Sequence, residues 1–399
     1  MNLRSNEPYW LVKNAFENSY PSLQKSTATD VLVIGGGITG ALITYQLVNE
    51  GREVVLVDRR DVCSGSSAVT TAMLQYEIDV PLFQLIEQRG EATAVSSYKN
   101  CEKAIFDLKK IVEETGSKCH FELKKSIYFT ADKGDEKMLE EEFRARKKFG
   151  FSVEWLDRNQ LKDLGLIARV AIQSDSGAVF DPYKFTCDLL GLCAKKGATI
   201  FDRTEIKKIR PRPGKMIATT PEKLTIEANH IIHCTGYESV KTVSKKFVNL
   251  KSTYALASEA FEALPFPFKN HIFWDTSSPY FYFRGTADNR VIAGGGDEPF
   301  KNTTKRDALL NKKREFLTRQ FNRYFPDISF APDYIWAGTF GETKDGLPFI
   351  GRPKPEINEH YVLGFGGNGI TYSVMAMDAI IDSMNHNNHI FLNDYGFDR

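Results

Sequence analysis

The stretch DVLVIGGGITG, residues 30–40, constrains this chain more than any other. Residues 31–34 form a short β-branched run, which by length and composition reads as a buried strand. Gly35, Gly37 and Gly40 follow as G-x-G-x-x-G with Ile38 and Thr39 between them, residues 41–50 read as a helix, and Gly51 ends it. A second apolar run, residues 53–57, ends at Asp58. Strand, glycine turn, helix and strand within about 30 residues make a βαβ unit. In such a unit the first glycine makes the tight turn and the second lets backbone N–H groups approach a pyrophosphate. The third lets the helix pack closely on the sheet. The phosphates then meet unpaired amides and the positive end of the helix dipole. A carboxylate at Asp58, about 20 residues on, is placed to accept hydrogen bonds from ribose hydroxyls. Asp58 would repel a 2′-phosphate, so Arg59 and Arg60 read as adenosine-edge or surface residues.

The 399 residues suit two or three domains at about 150 residues each. Charge nearly cancels, 52 Lys+Arg against 51 Asp+Glu, which argues against binding to a nucleic-acid backbone. The six cysteines, Cys63, Cys101, Cys119, Cys187, Cys193 and Cys234, include no Cys-x-x-Cys pair and read as scattered reduced thiols. The N-terminus lacks the apolar stretch of a signal peptide, and no run of about 18 apolar residues would span a membrane. A cytoplasmic protein is expected. Its oligomeric state is not legible.

Residues 1–29 read as a lead-in packing on the first domain. Residues 81–118 read as amphipathic helices, residues 126–130 as a strand, and 135–148 (DEKMLEEEFRARKK) as a solvated helix. Glu140/Arg144 and Glu142/Arg146 stand there at i,i+4. The α/β rhythm restarts over residues 178–240, with a helix opening at Asp181-Pro182 and strands near 199–201, 205–209, 225–228 and 231–234. Residues 251–296 are strand-rich and aromatic, a charged helix covers about 304–324, and a last helix begins near Thr371. The α/β signal in three separated blocks predicts two interleaved domains. His386 and His389, in a polar tail (HNNH), read as surface residues.

Three features favour FAD over NAD as the dinucleotide. A small-residue loop, residues 63–73 (CSGSSAVTTAM), would line the rest of a long cofactor. IIHCTG, residues 231–236, brings Thr235 and Gly236 to a strand end. GFGGNGIT, residues 364–371, opens the last helix, whose N-terminal dipole would stabilise negative charge on a reduced flavin.

These motifs, with GAVFDPYKFTCDLL, HCTGYES and WAGTFGETKDGLPFIG in the same order, resemble the FAD-dependent D-amino-acid oxidase superfamily. That superfamily includes glycine oxidase, sarcosine oxidase and γ-glutamylputrescine oxidase. The resemblance implies an α/β fold: a Rossmann-type FAD-binding domain of discontinuous segments (1–80, 160–245, 335–399). An interleaved α+β substrate domain on an antiparallel sheet (81–159, 246–334) completes it. It also implies that Gly35, Gly37 and Gly40 hold the pyrophosphate, Asp58 the ribose, and Ile206 the adenine through backbone groups. Ser66, Ser67, Ala72 and Met73 would approach pyrophosphate and isoalloxazine, Thr235 and Gly236 would flank the dinucleotide, and Gly366, Gly367, Asn368, Gly369, Ile370 and Thr371 would cradle the pyrimidine edge.

Where glycine-oxidase-type members carry an arginine for the substrate carboxylate, this chain has Phe340. Residues 336–351 contain no cysteine, and Val69 stands where related dehydrogenases attach flavin through histidine, so FAD is expected to be non-covalent. An oxygen-activating lysine of sarcosine oxidases aligns near Ile292. The reaction expected is oxidation of a C–N bond in an amine or N-substituted amino acid, with hydride passing to flavin N5. Substrate-side candidates are Tyr254, Tyr282, Arg284, Phe340 and Tyr372, with Arg284 either meeting a carboxylate or sitting in the sheet against Asp288 or Glu298. Two alternatives stay open: a dehydrogenase of a hydroxy acid or amine that passes electrons to a quinone or protein, and a non-catalytic flavoprotein subunit.

Overall fold

The computed structural model describes residues 3–5, 7–241, 248–363, 366–387 and 389–399. Gly364 and Phe365, which begin GFGGNGIT, and Asn388 of the HNNH tail lie outside the described residues. Two sheets organise the chain. The first runs Phe349–Gly351, Glu359–Leu363, Thr225–His233, Thr27–Ile34, Val54–Val57, Thr199–Phe201, with Lys215–Thr219 and Lys208–Arg212 as an antiparallel extension of Thr225–His233. Its central pairs are parallel. Val31 and Val33 belong to the core under the helix Ile38–Asn49, while Leu32, Val55 and Val57 face the antiparallel extension on the other side. Burial on both faces is why these strands read as unbroken apolar runs.

The second sheet is largely antiparallel: Pro332–Glu342, Asn249–Ser258, Val291–Pro299, Phe281–Gly285, His271–Asp275, Glu122–Thr130, Val170–Val179, Met73–Gln75, with Val153–Leu156 beside Val170–Val179. One face packs on Leu317 and Phe321 of the helix Leu310–Tyr324. The other face turns towards the first sheet, with Ala255, Trp274, Ile292 and Trp336 in the main core. Val170–Val179 and Pro332–Glu342, which fall wholly or mostly within the sequence-derived cofactor segments, thus hydrogen-bond into this second sheet.

Several expectations differ in detail. The lead-in reaches the second sheet: Ser5 N–H donates to Ala337 O at 3.0 Å, and Tyr9 and Trp10 of the helix Tyr9–Asn14 bury beside Tyr334 and Trp336. The strand expected at 205–209 starts at Lys208, the two expected at 225–234 are one, and the charged helix near 304–324 is two, Thr303–Ala308 and Leu310–Tyr324. The helix Glu136–Lys148 is not solvated all round. Glu140 and Arg144 are exposed, but Glu142 and Arg146 are buried. Arg146 Nε donates to Glu142 at 2.6 Å and Nη1 to Glu77 at 3.1 Å, and Ser174 Oγ donates to Glu77 at 2.8 Å. Glu77 lies beyond the strand Met73–Gln75, so its position in space, not in sequence, takes that pair inside.

Candidate functional site

The first glycine turn sits where the central strand meets its neighbours. Gly35 has φ +111°, and its N–H donates to Val57 O at 2.8 Å. A Cβ on Gly35 would stand 2.4 Å from the Cys234 carbonyl oxygen. The helix Ile38–Asn49 starts directly after it, capped at Gly37 without a side-chain hydrogen bond. Ser67 Oγ accepts the Ile38 N–H at 2.8 Å.

A cleft of about 420 Å³ opens at this turn. Of the sequence-derived residues, Gly35, Gly37, Ile38, Thr39, Asp58, Arg59, Ser66, Ser67, Ile206, Thr235, Gly236, Gly366, Gly367, Gly369 and Ile370 line it. Gly40 stands behind, against the Gly35 carbonyl. Three residues play supporting parts and do not line the cleft. The Ala72 carbonyl accepts from Arg284, Asn368 Nδ2 donates to Gln75 O at 3.0 Å and Glu77 O at 2.9 Å, and Thr371 Oγ1 donates to Asn368 O at 2.8 Å. They shape the walls from behind because their polar atoms are spent on the backbone. Arg59 and Arg60 both pair with Glu238, which also lines the cleft.

Asp58 closes one side. Its carboxylate accepts Gly36 N–H and Arg60 N–H, each at 2.8 Å. Burial pushes its carboxyl up, and those two amide donors pull it back. Ser66 Oγ and Thr235 Oγ1 are buried in the wall with no hydrogen-bond partner among the described residues. Unsatisfied buried hydroxyls cost free energy unless something else supplies partners. Ribose, phosphate and ring groups of a dinucleotide would do so, and the residues present therefore fit such a group. Asp58→Ala is expected to weaken FAD binding by about ten- to a hundredfold, the loss of charge-assisted hydrogen bonds. Fluorescence titration of the apoprotein with FAD would measure this, and unchanged affinity would remove Asp58 from the site.

At Ser66, Thr70, Tyr237, Gly366 and Gly367 the cleft joins a second cavity of about 140 Å³ facing the antiparallel sheet. Met73, which the resemblance sets against the isoalloxazine, and the substrate-side candidates Tyr282 and Phe340 line it. Gln75, Thr253, Tyr280 and Asp297 line it too, and the sequence reading missed them. Period-2 alternation was the available signal for Thr253, which faces opposite to its neighbour Tyr254.

Three substrate-side candidates fall outside the cavity. Tyr254 is buried on the helix-covered face and donates to Arg306 O at 3.2 Å. Tyr372 is buried and donates to Gly346 O at 2.7 Å. Arg284 does not line the cavity, and its hydrogen bonds among the described residues go neither to Asp288 nor to Glu298. Its Nη1 donates to Thr71 O and Ala72 O at 2.8 Å and Phe180 O at 3.0 Å, and its Nε to Gly285 O at 2.9 Å. Asp288 accepts from Tyr9, and Glu298 pairs with Lys313. Burial pushes the Arg284 guanidinium down to about 10. Arg284 therefore pins the loop behind Met73 from outside the cavity. His386 is exposed, and His389 accepts the Phe391 N–H of a short helix.

A family model described as FAD dependent oxidoreductase matches residues 30–381. The Bacillus subtilis (strain 168) protein YhfW, which bears a Rieske 2Fe-2S iron–sulfur name, is 28% identical over 387 residues, 94% of this chain and 72% of its own length. Gamma-glutamylputrescine oxidoreductase of Escherichia coli (strain K12) is 22% identical over 374 residues, 90% of this chain and 84% of that protein. Among solved structures, glycine oxidase from Geobacillus kaustophilus superposes with a TM-score of 0.77 at 19% identity, covering 92% of this chain and 98% of the other. Among the described residues, no helix is long and apolar enough to cross a membrane.

Proposed function

The chain belongs to the FAD dependent oxidoreductase family, and from that premise we propose that it oxidises a C–N bond of a small amine or N-substituted amino acid, in the cytoplasm, with FAD held non-covalently. The observation that carries this reading is the aromatic cavity continuous with the dinucleotide cleft through Ser66, Thr70, Tyr237, Gly366 and Gly367. The glycine oxidase and γ-glutamylputrescine oxidoreductase relatives act, by their names, on amino compounds. When bound, FAD would supply a two-electron acceptor, so that loss of hydride from the carbon of the neutral amine would give an iminium.

This chain's residues supply the rest. Gly35, Gly37 and the first amides of the helix Ile38–Asn49 hold the phosphates, and Asp58 the ribose. Met73, Gly366 and Gly367 would hold the ring end, and Tyr280, Tyr282 and Phe340 would exclude water from the substrate. An apolar wall also favours the neutral amine, the form able to release hydride. With Phe340 where an arginine would pair a carboxylate, nothing in that position selects an α-amino acid by its acid group.

The test is anaerobic flavin bleaching with FAD-loaded protein across amines, N-substituted amino acids and hydroxy acids. Bleaching by an amine is expected; bleaching by hydroxy acids alone would overturn the reading, and so would no bleaching at all with FAD bound. A second reading concerns the electron acceptor. No lysine lines the cavity among the described residues, and YhfW bears an iron–sulfur name. Both favour transfer to a protein acceptor over dioxygen, and slow reoxidation of the reduced protein in air would support it.

A further inference from the structure

The strand Val291–Pro299 contains an irregularity that decides what the cavity can bind. Val291 and Ala293 pack on the helix-covered face, and Ile292 on the opposite one. Simple alternation would therefore turn Asp297 towards the helix Leu310–Tyr324. The pairing breaks first: Tyr254 stands opposite Gly295, but Ser252 stands opposite Glu298. Thr253 alone thus spans Gly296 and Asp297, a β-bulge, with Gly296 at φ +67°. A Cβ on Gly296 would meet the Phe316 ring at 3.2 Å, so Gly296 takes the helix-facing place. One extra residue reverses the faces beyond it, and Asp297 lines the cavity. Earlier in the same strand, a Cβ on Gly294 would fall 2.2 Å from the Tyr282 ring, so the glycine makes room for that ring.

Asp297 Oδ1 is buried with no hydrogen-bond partner among the described residues, the Thr253 hydroxyl lying against the same carboxyl. Around it stand Tyr237, Tyr280, Tyr282 and Phe340, and no Lys, Arg or His lines the cavity among the described residues. We infer that the cavity takes its substrate as an alkylammonium ion, with Asp297 as ion-pair partner and the faces of Tyr280 and Tyr282 as cation–π walls. This rests on the amine-oxidation reading above and narrows its substrate class: the recognised group is the charged nitrogen, not a carboxylate. An ammonium or methylammonium brings the positive charge that an orphaned carboxylate oxygen in a low-dielectric cavity lacks. Tyrosine faces attract cations. A substrate carboxylate would instead meet Asp297 as a like charge.

Burial pushes the Asp297 carboxyl up to about 7. Thr253 and Lys251 pull it down, while Glu342 and Asp79 push it up. Lys251 is paired with Glu342, Asp79 accepts the Gly367 N–H, and on the far side of the strand Lys313 is paired with Glu298. The remaining titratable groups lining the cavity with Asp297 among the described residues, Tyr237, Tyr280 and Tyr282, are held protonated by burial, Tyr282 at about 12. Among the described residues lining the cavity, Asp297 is therefore the carboxyl that burial brings towards neutral pH. It is also placed to accept the substrate N–H proton. That step breaks N–H and forms O–H, turning an ammonium and a carboxylate into a neutral amine and a neutral carboxyl.

Tetramethylammonium tests this, because it is permanently charged, does not titrate, and has no nitrogen lone pair to drive hydride loss. Added to FAD-loaded protein, it is expected to give a saturable flavin difference spectrum. Its affinity should rise about tenfold per pH unit below about 7 and level off above, following Asp297 ionisation. Asp297→Asn, with FAD retained, should bind it at least about tenfold more weakly and without that pH dependence. Acetate should leave the spectrum unchanged. Perturbation by acetate but not by tetramethylammonium would overturn the inference, as would unaltered cation binding in Asp297→Asn. If tetramethylammonium binds through Asp297 while no amine bleaches the flavin, the cation site stands and the oxidation reading falls. If amines bleach wild type and Asp297→Asn equally, only the cation site falls.

Discussion

Arg146→Met is expected to lower the unfolding free energy by about 3–5 kcal/mol, because it strands two buried carboxylates. Arg146 is 1% exposed and lies against Glu77 and Glu142, both 0% exposed. Its guanidinium also sits 5.6 to 5.9 Å from the ring centroids of Tyr76, Tyr98 and Tyr128. Burial already pushes the Glu77 carboxyl up, with Arg146 as the main opposing influence. Without Arg146 the folded protein would hold Glu77 protonated well above its unfolded range. A group raised on folding contributes stability below its unfolded value and loses it as pH rises through the folded one. Urea unfolding of the variant should therefore show a larger deficit at pH 8 than at pH 5. An equal deficit at both values would mean that lost packing, not stranded charge, is responsible. The network also ties the helix Glu136–Lys148 to the chain leaving Met73–Gln75, where Asn368 Nδ2 bonds the Glu77 carbonyl. Unfolding should therefore be accompanied by FAD release.

Gly40→Ala is expected to abolish tight FAD binding. Its Cβ would lie 1.8 Å from the Gly35 carbonyl oxygen, a backbone atom that cannot swing away. Gly35 is itself held by Val57 and crowded by the Cys234 carbonyl, so the helix Ile38–Asn49 must move off the strand instead. Overpacking of that kind costs about 3 kcal/mol or more, which is about a hundredfold in affinity if it falls on the phosphate site. The flavin-to-protein absorbance ratio after purification, with FAD titration of the apoprotein, measures it. Retention of FAD at the wild-type ratio would mean that the glycine turn does not set the phosphate site.

The dinucleotide grip was legible because it is local chemistry. A glycine at φ +111°, another that must touch a carbonyl, a four-residue apolar strand and an acid at its end are all written within residues 31–58. The family motifs extended that reading along the chain, and 15 residues they pointed to line one cleft. Of the residues lining the second cavity, the sequence pointed to Met73 for the ring and to Tyr282 and Phe340 as substrate-side candidates.

What the residues near one another in the chain determine by themselves is backbone conformation: where a strand stops, where a helix can begin, where a turn needs glycine. What only the tertiary structure decided is the company each side chain keeps. Glu142 and Arg146 match a solvated i,i+4 pair until Glu77, 69 positions from Arg146 in the numbering, arrives, and Arg284 looks like an anion ligand until four carbonyls close around it. Asp297 faces the cavity because one bulge, set by the register against Ser252 and Tyr254, turned it around. Burial and partners arise from distant segments meeting, and electrostatic energy depends on that meeting far more than on sequence neighbours.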